Sequence, residues 1–465
     1  MSVIRDLYHF TNIRSARNVT RGKVNIIGVV LEHGFPRQTK GTDWYYLVRI
    51  IDETHHDPGL PVQIFFETMA KSPRVLSPGD IMQFQNVTMK VVGDDVCAVY
   101  NKKYSSFALY NGSDGSVPYQ ASERFRERDL DKRFVTDLRR WFRDFPIDQG
   151  RNDISIARHL TEGEHFDLFC KVLYIYDGAE SQWMAFVWDG SDAPPANIHK
   201  KLSEEMHQPL ALHVETFSLA RDVVCSFPTL GTVLRVITQD IEPDFLPLFR
   251  TGSWIKLSNL LCELYDGLWR VVLTQYCRIC FASSYGDRFR PEPQRLYDER
   301  LLRNPRSLRR MPQWSLPWPS RITEVDFDDD CEFHSLMDVV TSPEMMVGYK
   351  CVVRVVSILP CRAMDYHFPV GICKIRLTLE DPTTRIHAFL YAEDGLKFFK
   401  GSSSDEVLSG MRNALLGAAA NIDGDEGEDT PRNPPWVQVC LRVKCETEDD
   451  LESREYMVFG TKLRA

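Results

Sequence analysis

At 465 residues, 43% of them hydrophobic and 26% charged, the chain is too long for one core and apolar enough to fill two to four. No apolar run approaches the roughly 18 residues that span a bilayer, and Arg5, Asp6 and His9 stand where a secretory segment needs an apolar stretch. The expectation is an intracellular protein that does not enter a membrane. A net charge of −9 excludes coating of nucleic acid by overall charge while leaving room for a local patch.

That patch lies at the front, where residues 1–50 hold eight Lys or Arg against three Asp or Glu. In the same region a strand pattern from Val24 to Leu31 is followed by the loop Lys40-Gly41-Thr42-Asp43-Trp44. An alternating run then leads to the turn Ile51-Asp52-Glu53-Thr54, and a glycine introduces a further strand at Pro78-Gly79-Asp80-Ile81. The order returns with Phe166 to Ile175, Trp188-Asp189-Gly190-Ser191 and Leu230-Gly231-Thr232-Val233, the Gly231 strand reading as the counterpart of the Gly79 one. It returns again with Tyr349 to Ile358 and Glu380-Asp381-Pro382-Thr383. Strand, aspartate turn and strand, three times over, predict small five-stranded barrels in series, a mainly β protein with some α. Arrays of such barrels bind single-stranded nucleic acid or other proteins.

Between the first two barrels, Ser122 to Phe145 places Leu130, Phe134, Leu138, Trp141 and Phe145 at steps of three and four. That spacing predicts an amphipathic helix packed across the first barrel or between two. Residues Asp287 to Ser320 gather arginine, proline and two tryptophans; proline at that density predicts an extended connector. Its arginines read as a solvated face rather than a track for phosphates. The third barrel, about Tyr349 to Lys462, contains a low-complexity insertion from Gly401 to Pro435, with a short helix within Asp405 to Ala420 and disorder from Ile422. The expected domains are 1–145, 146–300, a linker at 301–330, and 331–465.

No phosphate-binding glycine loop, zinc-protease helix or nucleophile elbow occurs, so no catalytic residue and no cofactor are expected. Cys277-Arg278-Ile279-Cys280 has the spacing of half a zinc site. A second pair at suitable spacing is missing, so no metal is expected. Twelve cysteines, several inside strand patterns as at Cys170, Cys351 and Cys440, read as reduced, mostly buried thiols.

Single-strand binding needs aromatic faces for bases, cations for phosphates and polar groups for base edges. Lys40 can meet a phosphate, and Thr42 and Asp43 can bond base edges, a carboxylate suiting the imino and amino hydrogens of guanine. In Gln63-Ile64-Phe65-Phe66 alternation points one phenylalanine to the core and the other outward, and does not say which.

These residues resemble the protection-of-telomeres family, in particular its plant branch. The resemblance rests on Lys40 to Trp44 running on to Ile50-Ile51-Asp52-Glu53-Thr54, on Ser105 to Leu109, and on His165 to Leu168. It extends through Phe186 to Gly190, Arg310 to Pro312, Pro317 to Ser320, and Leu377 to Thr383 with Arg385 to Phe389. It implies three tandem OB-folds, the first two binding the single-stranded G-rich overhang of chromosome ends and the third a protein. It also implies a nuclear, telomeric location and association with telomerase and the CST capping complex. Carried over by position, the DNA contacts fall on Lys40, Gly41, Thr42 and Asp43, with Phe65 as the outward ring; His165 stands where a stacking tyrosine is expected. Val91 and Val92 replace a further aromatic. Only Cys361 stands near one pair of the animal relatives' zinc cysteines, so that zinc is not expected. The alternative is a module that binds telomerase or CST proteins with weak or no direct DNA contact.

Overall fold

In the computed structural model the first barrel is closed by β1 (Lys23–His33), β2 (Trp44–Asp52), β3 (His55–Phe66), β4 (Ile81–Val92) and β5 (Asp95–Tyr100). The structure describes residues 9–19, 22–93, 95–145, 156–178, 183–202, 204–210, 212, 219–228, 231–238, 241, 243–265, 267–280, 292–302, 319–326, 331–344, 347–366, 374–401, 404–418, 432–444 and 454–464. β1 pairs antiparallel with β2 and β4, β2 with β3, and β4 with β5, and a parallel pairing of β3 with β5 shuts the ring. This is the OB-fold strand order. Alternate residues point inward, so Val48, Ile50, Val62, Ile64, Phe84 and Ala98 build the barrel core.

The same closure recurs twice. β7 (His165–Asp177), β8 (Trp183–Trp188), β9 (Leu234–Thr238), β10 (Trp254–Tyr265) and β11 (Leu268–Leu273) form the second barrel. β13 (Gly348–Leu359), β14 (Lys374–Glu380), β15 (Arg385–Tyr391), β16 (Trp436–Lys444) and β17 (Glu455–Phe459) form the third. One expectation is corrected here. Gly79 leads into the fourth strand of its barrel, whereas Gly231 precedes the third strand of its own. The counterpart of Gly79 is Gly252: each has positive φ, and each donates its N–H to the first strand at 2.7 Å, to Val30 and Val172. The sequence hides this because residues 189–233 intervene between β8 and β9.

Each aspartate turn is a clasp. Asp52 Oδ1 accepts from the Thr54 N–H, the Thr54 hydroxyl and the His55 N–H at 2.7–2.9 Å, while Oδ2 accepts from the Ile13 N–H at 2.7 Å. Ile13 opens the short helix α1 (Ile13–Arg17), and the next N–H, of Arg14, goes to the Thr54 hydroxyl at 3.2 Å. Asp189 repeats this with Ser191 and with the N–H groups of Ala157 and Arg158. Asp381 repeats it with Thr383 and with the N–H groups of Leu336 and Met337, at the start of α5 (Leu336–Thr341). A helix leaves its first N–H groups without intrahelical partners; here the carboxylate of a distant hairpin supplies one. All three aspartates are buried.

The helix after the first barrel, α2 (Asp129–Asp144), starts later than its spacing suggests, at the point where the Asp131 carboxylate reaches back to the Arg128 N–H at 2.9 Å. It lies across the barrel's flank, burying Val135 and Leu138 against Ile27, Val29, Ile51 and Ala108. Leu130 and Phe134, expected on the buried face, remain exposed. A second correction concerns the connector. Glu292–Leu302 is helical (α4), because Pro293 falls in the first turn, where its missing N–H has no role. Its Arg300 forms a buried two-pronged pair with Asp192, both contacts 2.9 Å. Most of the remaining connector, residues 303–318, and the segment 419–431 of the acidic insertion lie outside the described residues. Within that insertion Asp405–Leu416 is helical.

The barrels are joined. β6 (Ser106–Tyr110) follows the first barrel and pairs with β4; its counterpart β12 (Arg278–Cys280) follows the second, pairs with β10, and also pairs with Glu32 and His33 of β1. The second barrel meets the third through Thr232, whose hydroxyl donates to Pro382 O at 2.8 Å, and through Gly267, where a Cβ would stand 2.6 Å from the Arg385 guanidinium.

Candidate nucleic-acid interface

The loop before β2 is shaped by Thr39, whose N–H and hydroxyl both donate to Asp43 O, at 2.9 and 2.7 Å. This turn pushes Lys40, Gly41 and Thr42 into solvent. Asp43 is half-buried, and its Oδ1 lies 2.7 Å from Lys102 Nζ, which also stands 3.8 Å from Glu67. The hydrogen bond it donates to Asp43 raises the Lys102 pKa, so that ammonium stays charged. Lys102, in the turn that follows β5, is a partner of the loop that sequence reasoning missed.

Burial decides between the two phenylalanines. Trp44 pairs with Phe66 and Tyr45 with Phe65; Phe66 is 3% exposed and belongs to the core, while Phe65 is half-buried on the outer side. There the Phe65 and Tyr45 rings lie 5.4 Å apart. The Arg37 guanidinium stands 4.8 Å from the Tyr45 ring and 5.0 Å from that of Tyr276, which belongs to the second barrel and is 60% exposed. Phe65, Tyr45, Arg37 and Tyr276 thus make one row across the seam between barrels. Burial raises the Tyr45 pKa, with Arg37 opposing, so its phenol is neutral at physiological pH.

Tyr276 has a counterpart in the first barrel. Asn86 and Asn259 both adopt positive φ in the fourth strand, and their N–H groups donate to Asn25 and Asp167 at 3.0 and 2.9 Å. Their carbonyls accept from Ser105 Oγ at 2.8 Å and Cys277 Sγ at 3.0 Å. The residues just before these two donors are Tyr104 and Tyr276, and the residues two before Asn25 and Asp167 are Lys23 and His165. Lys23 Nζ sits 3.6 Å over the Tyr104 ring. His165 is exposed at the start of β7, where Lys23 stands in the first barrel. Val91 and Val92 are exposed where β4 meets β5. Tyr45 could have been found by asking what faces Phe65 across the hairpin; Tyr276 could not, since Asn101-Lys102-Lys103-Tyr104-Ser105 and Thr274-Gln275-Tyr276-Cys277 share too little.

The second barrel covers the outer side of its second strand. Met184 and Phe186 of β8 point outward, yet they are buried under Phe227 and Val233, with the Phe186 and Phe227 rings 5.3 Å apart. Phe227 directly follows the helix α3 (Arg221–Ser226) of the long insertion. Trp188, also outward, packs on Tyr297 of α4 at 5.1 Å. As for Cys277 and Cys280, the first bonds to Asn259 O and the second lies 3.2 Å from Ser258 Oγ and 3.7 Å from Glu32 Oε2. Burial pushes the Cys280 thiol up to about 11. Among the described residues no group of three or more His, Cys, Asp or Glu is placed to hold a metal.

Residues 4–149 match the family model described as telomeric single stranded DNA binding POT1/CDC13, and residues 318–450 match that for the POT1A-like OB fold domain. Two Arabidopsis thaliana proteins align end to end. "Protection of telomeres protein 1a" is 34% identical over 487 residues, covering 100% of both chains, and "Protection of telomeres protein 1b" is 36% identical over 468 residues, covering 99% of both. A crystal structure of fission yeast Pot1 with single-stranded DNA overlays loosely, with a TM-score of 0.27 at 16% identity, covering 64% of this chain and 94% of that one. By its full-length similarity to the two Arabidopsis proteins, this chain belongs to the protection-of-telomeres family.

Proposed function

We propose that the first barrel binds the G-rich single strand at chromosome ends, and that the chain thereby protects those ends and regulates telomerase there, in the nucleus. The observation that carries this reading is the row from Phe65 through Tyr45 and Arg37 to Tyr276, beside the exposed loop Lys40 to Asp43. Bases stack on Phe65 and on the outer side of Tyr276, each stack contributing about 1–3 kcal/mol. Lys40 takes a phosphate, the Gly41 backbone lets the strand approach, and Thr42 bonds a base edge. Asp43 accepts the imino and amino hydrogens of guanine through Oδ2, while Lys102 holds Oδ1 and fixes the carboxylate's direction. His165 takes the place on the second barrel that Lys23 has on the first. A titration of the full chain against a plant-type telomeric repeat and a scrambled strand of equal length tests the reading. Equal affinity for the two would end it.

A second reading is favoured by the covered outer side of β8: the barrels serve mainly as a module for telomerase and CST proteins, with direct DNA contact weak. Recovery of telomerase activity with the chain, together with no measurable affinity for the telomeric strand, selects this reading over the first.

A further inference from the structure

At the end of the first barrel farther from the Lys40 to Asp43 loop, α2 and the segment Phe10 to Asn12 leave a groove of about 770 Å³ between them. Its floor is aromatic. Phe10 meets Phe134 edge-on at 4.8 Å, and Trp141 and Phe145 lie 4.7 Å apart. Phe134 stays 39% exposed and Leu130, one turn earlier on the same helix, 51%, although α2 already buries Val135 and Leu138. Closing the barrel therefore does not use these side chains. The rim is acidic: Glu53, Asp137 and Asp144 line the groove and are exposed, and among the described residues Arg140 is the one cation that lines it, 3.5 Å from Asp137, which Arg133 also approaches from outside at 3.9 Å.

We propose that this groove docks a protein segment carrying lysines or arginines beside leucine, tryptophan or phenylalanine. Charge complementarity selects that occupant. The carboxylates repel a phosphodiester strand, while a cationic segment can pair with the rim as its apolar side chains cover Phe134 and Trp141. The site also lies apart from the nucleic-acid surface, because Asp43 and Glu53 flank the two ends of β2, a strand of nine residues or roughly 26 Å at about 3.3 Å per residue. A partner held here leaves the DNA surface open, so the chain can grip a single strand and a protein together. The groove deepens the reading of the chain as a chromosome-end protein, yet its occupancy does not require that reading to hold.

The test uses the full chain and a fluorescent 14-residue helical peptide of lysine and leucine, with a glutamate and leucine peptide as control. Anisotropy should show saturable binding of the lysine peptide and none of the control. Combined Glu53→Gln, Asp137→Asn and Asp144→Asn should weaken it about tenfold or more, as should Phe134→Ala, and hydrogen exchange should slow along α2. Affinity for telomeric DNA should stay within about twofold in every variant, with or without peptide. Peptide binding that ignores all four substitutions, or protection that maps elsewhere, overturns the proposal. If concentrated protein dimerises and the neutralised variant does not, a second copy is the occupant and the proposed partner is wrong. Loss of DNA binding on Phe65→Ala with the peptide result intact, or the reverse, separates the two readings.

Discussion

The first and second barrels share strand order, aspartate clasp and fourth-strand asparagine, and they differ in what lies on the outside of the second strand. In the first, Tyr45 faces a half-buried Phe65 and an arginine. In the second, Phe186 lies under Phe227 and Trp188 under Tyr297. Outward apolar side chains on a strand have two stable outcomes. They are covered by the chain itself, or they stay uncovered because something else covers them part of the time. The long insertion between β8 and β9 decides for the first outcome in the second barrel. A two-residue hairpin at the same place, Glu53-Thr54, brings the first barrel no such cover; counting back from the clasp aspartate, Phe186 is replaced there by Arg49, which pairs with Glu32 at 2.9 Å, and Tyr45 lies farther along the strand, at its other end.

The largest expected effect separates the barrels by stability. Phe227→Ala removes a 6% exposed ring and should destabilise the second barrel by about 3–5 kcal/mol in urea unfolding, while leaving affinity for telomeric DNA within about twofold. A large loss of affinity in protein shown to be folded would mean the two surfaces are not distinct. Phe65→Ala should do the opposite, weakening DNA binding by about 1–3 kcal/mol with less than about 1 kcal/mol lost from stability.

The seam between the barrels responds to acid. Burial lowers the His33 pKa to about 4 from 6.5, and the ring's Nε2 has no hydrogen-bond partner among the described residues. The unfolded chain therefore binds this proton more readily than the folded one. The stabilisation is complete above about pH 6.5 and falls toward pH 4, with about 2 kcal/mol gone by pH 5. In pH-dependent unfolding, His33→Gln should flatten that slope; an unchanged slope would place the titrating group elsewhere. Tyr276→Ala should weaken binding by about 1 kcal/mol for an oligonucleotide long enough to cross the seam and hardly at all for one that covers only the first barrel. Smallest is the salt effect. With Arg37 in the row, Lys40 in the loop beside it and few other cations near, log affinity should fall against log salt with a slope near −2 to −3, at about −0.7 per phosphate on single strands. A slope beyond about −6 would move the strand to another surface.

How much of this could be read beforehand follows the range of each interaction. The three aspartate turns were legible because aspartate with a serine or threonine two residues on is a local signal. The second job of each carboxylate, holding a helix start 39, 32 or 45 residues away, was not, because no local pattern records a distant N–H. Alternation limits the outward ring to Phe65 or Phe66, the family resemblance points to Phe65, and the burial of Phe66 in the core shows that Phe65 is the ring that faces outward. The covering of β8 was illegible for another reason. Phe227 looks like any apolar residue after a short helix, and nothing near it names Phe186 as its target. Proline misleads at Pro293: the density of helix breakers predicts an extended connector, yet in the first turn of a helix the residue breaks nothing.

The strand β12 has a consequence for anyone dividing the molecule. Arg278 to Cys280 arrive from the second barrel to cover Glu32 and His33 of β1. Cutting the chain after α2 takes that cover away and leaves a short unpaired edge beside a histidine that was fully enclosed. Bare edges pair with one another, so a first barrel isolated in this way should self-associate as its concentration rises, and a loss of affinity seen in such a fragment would report crowding at its edge rather than the quality of its DNA site.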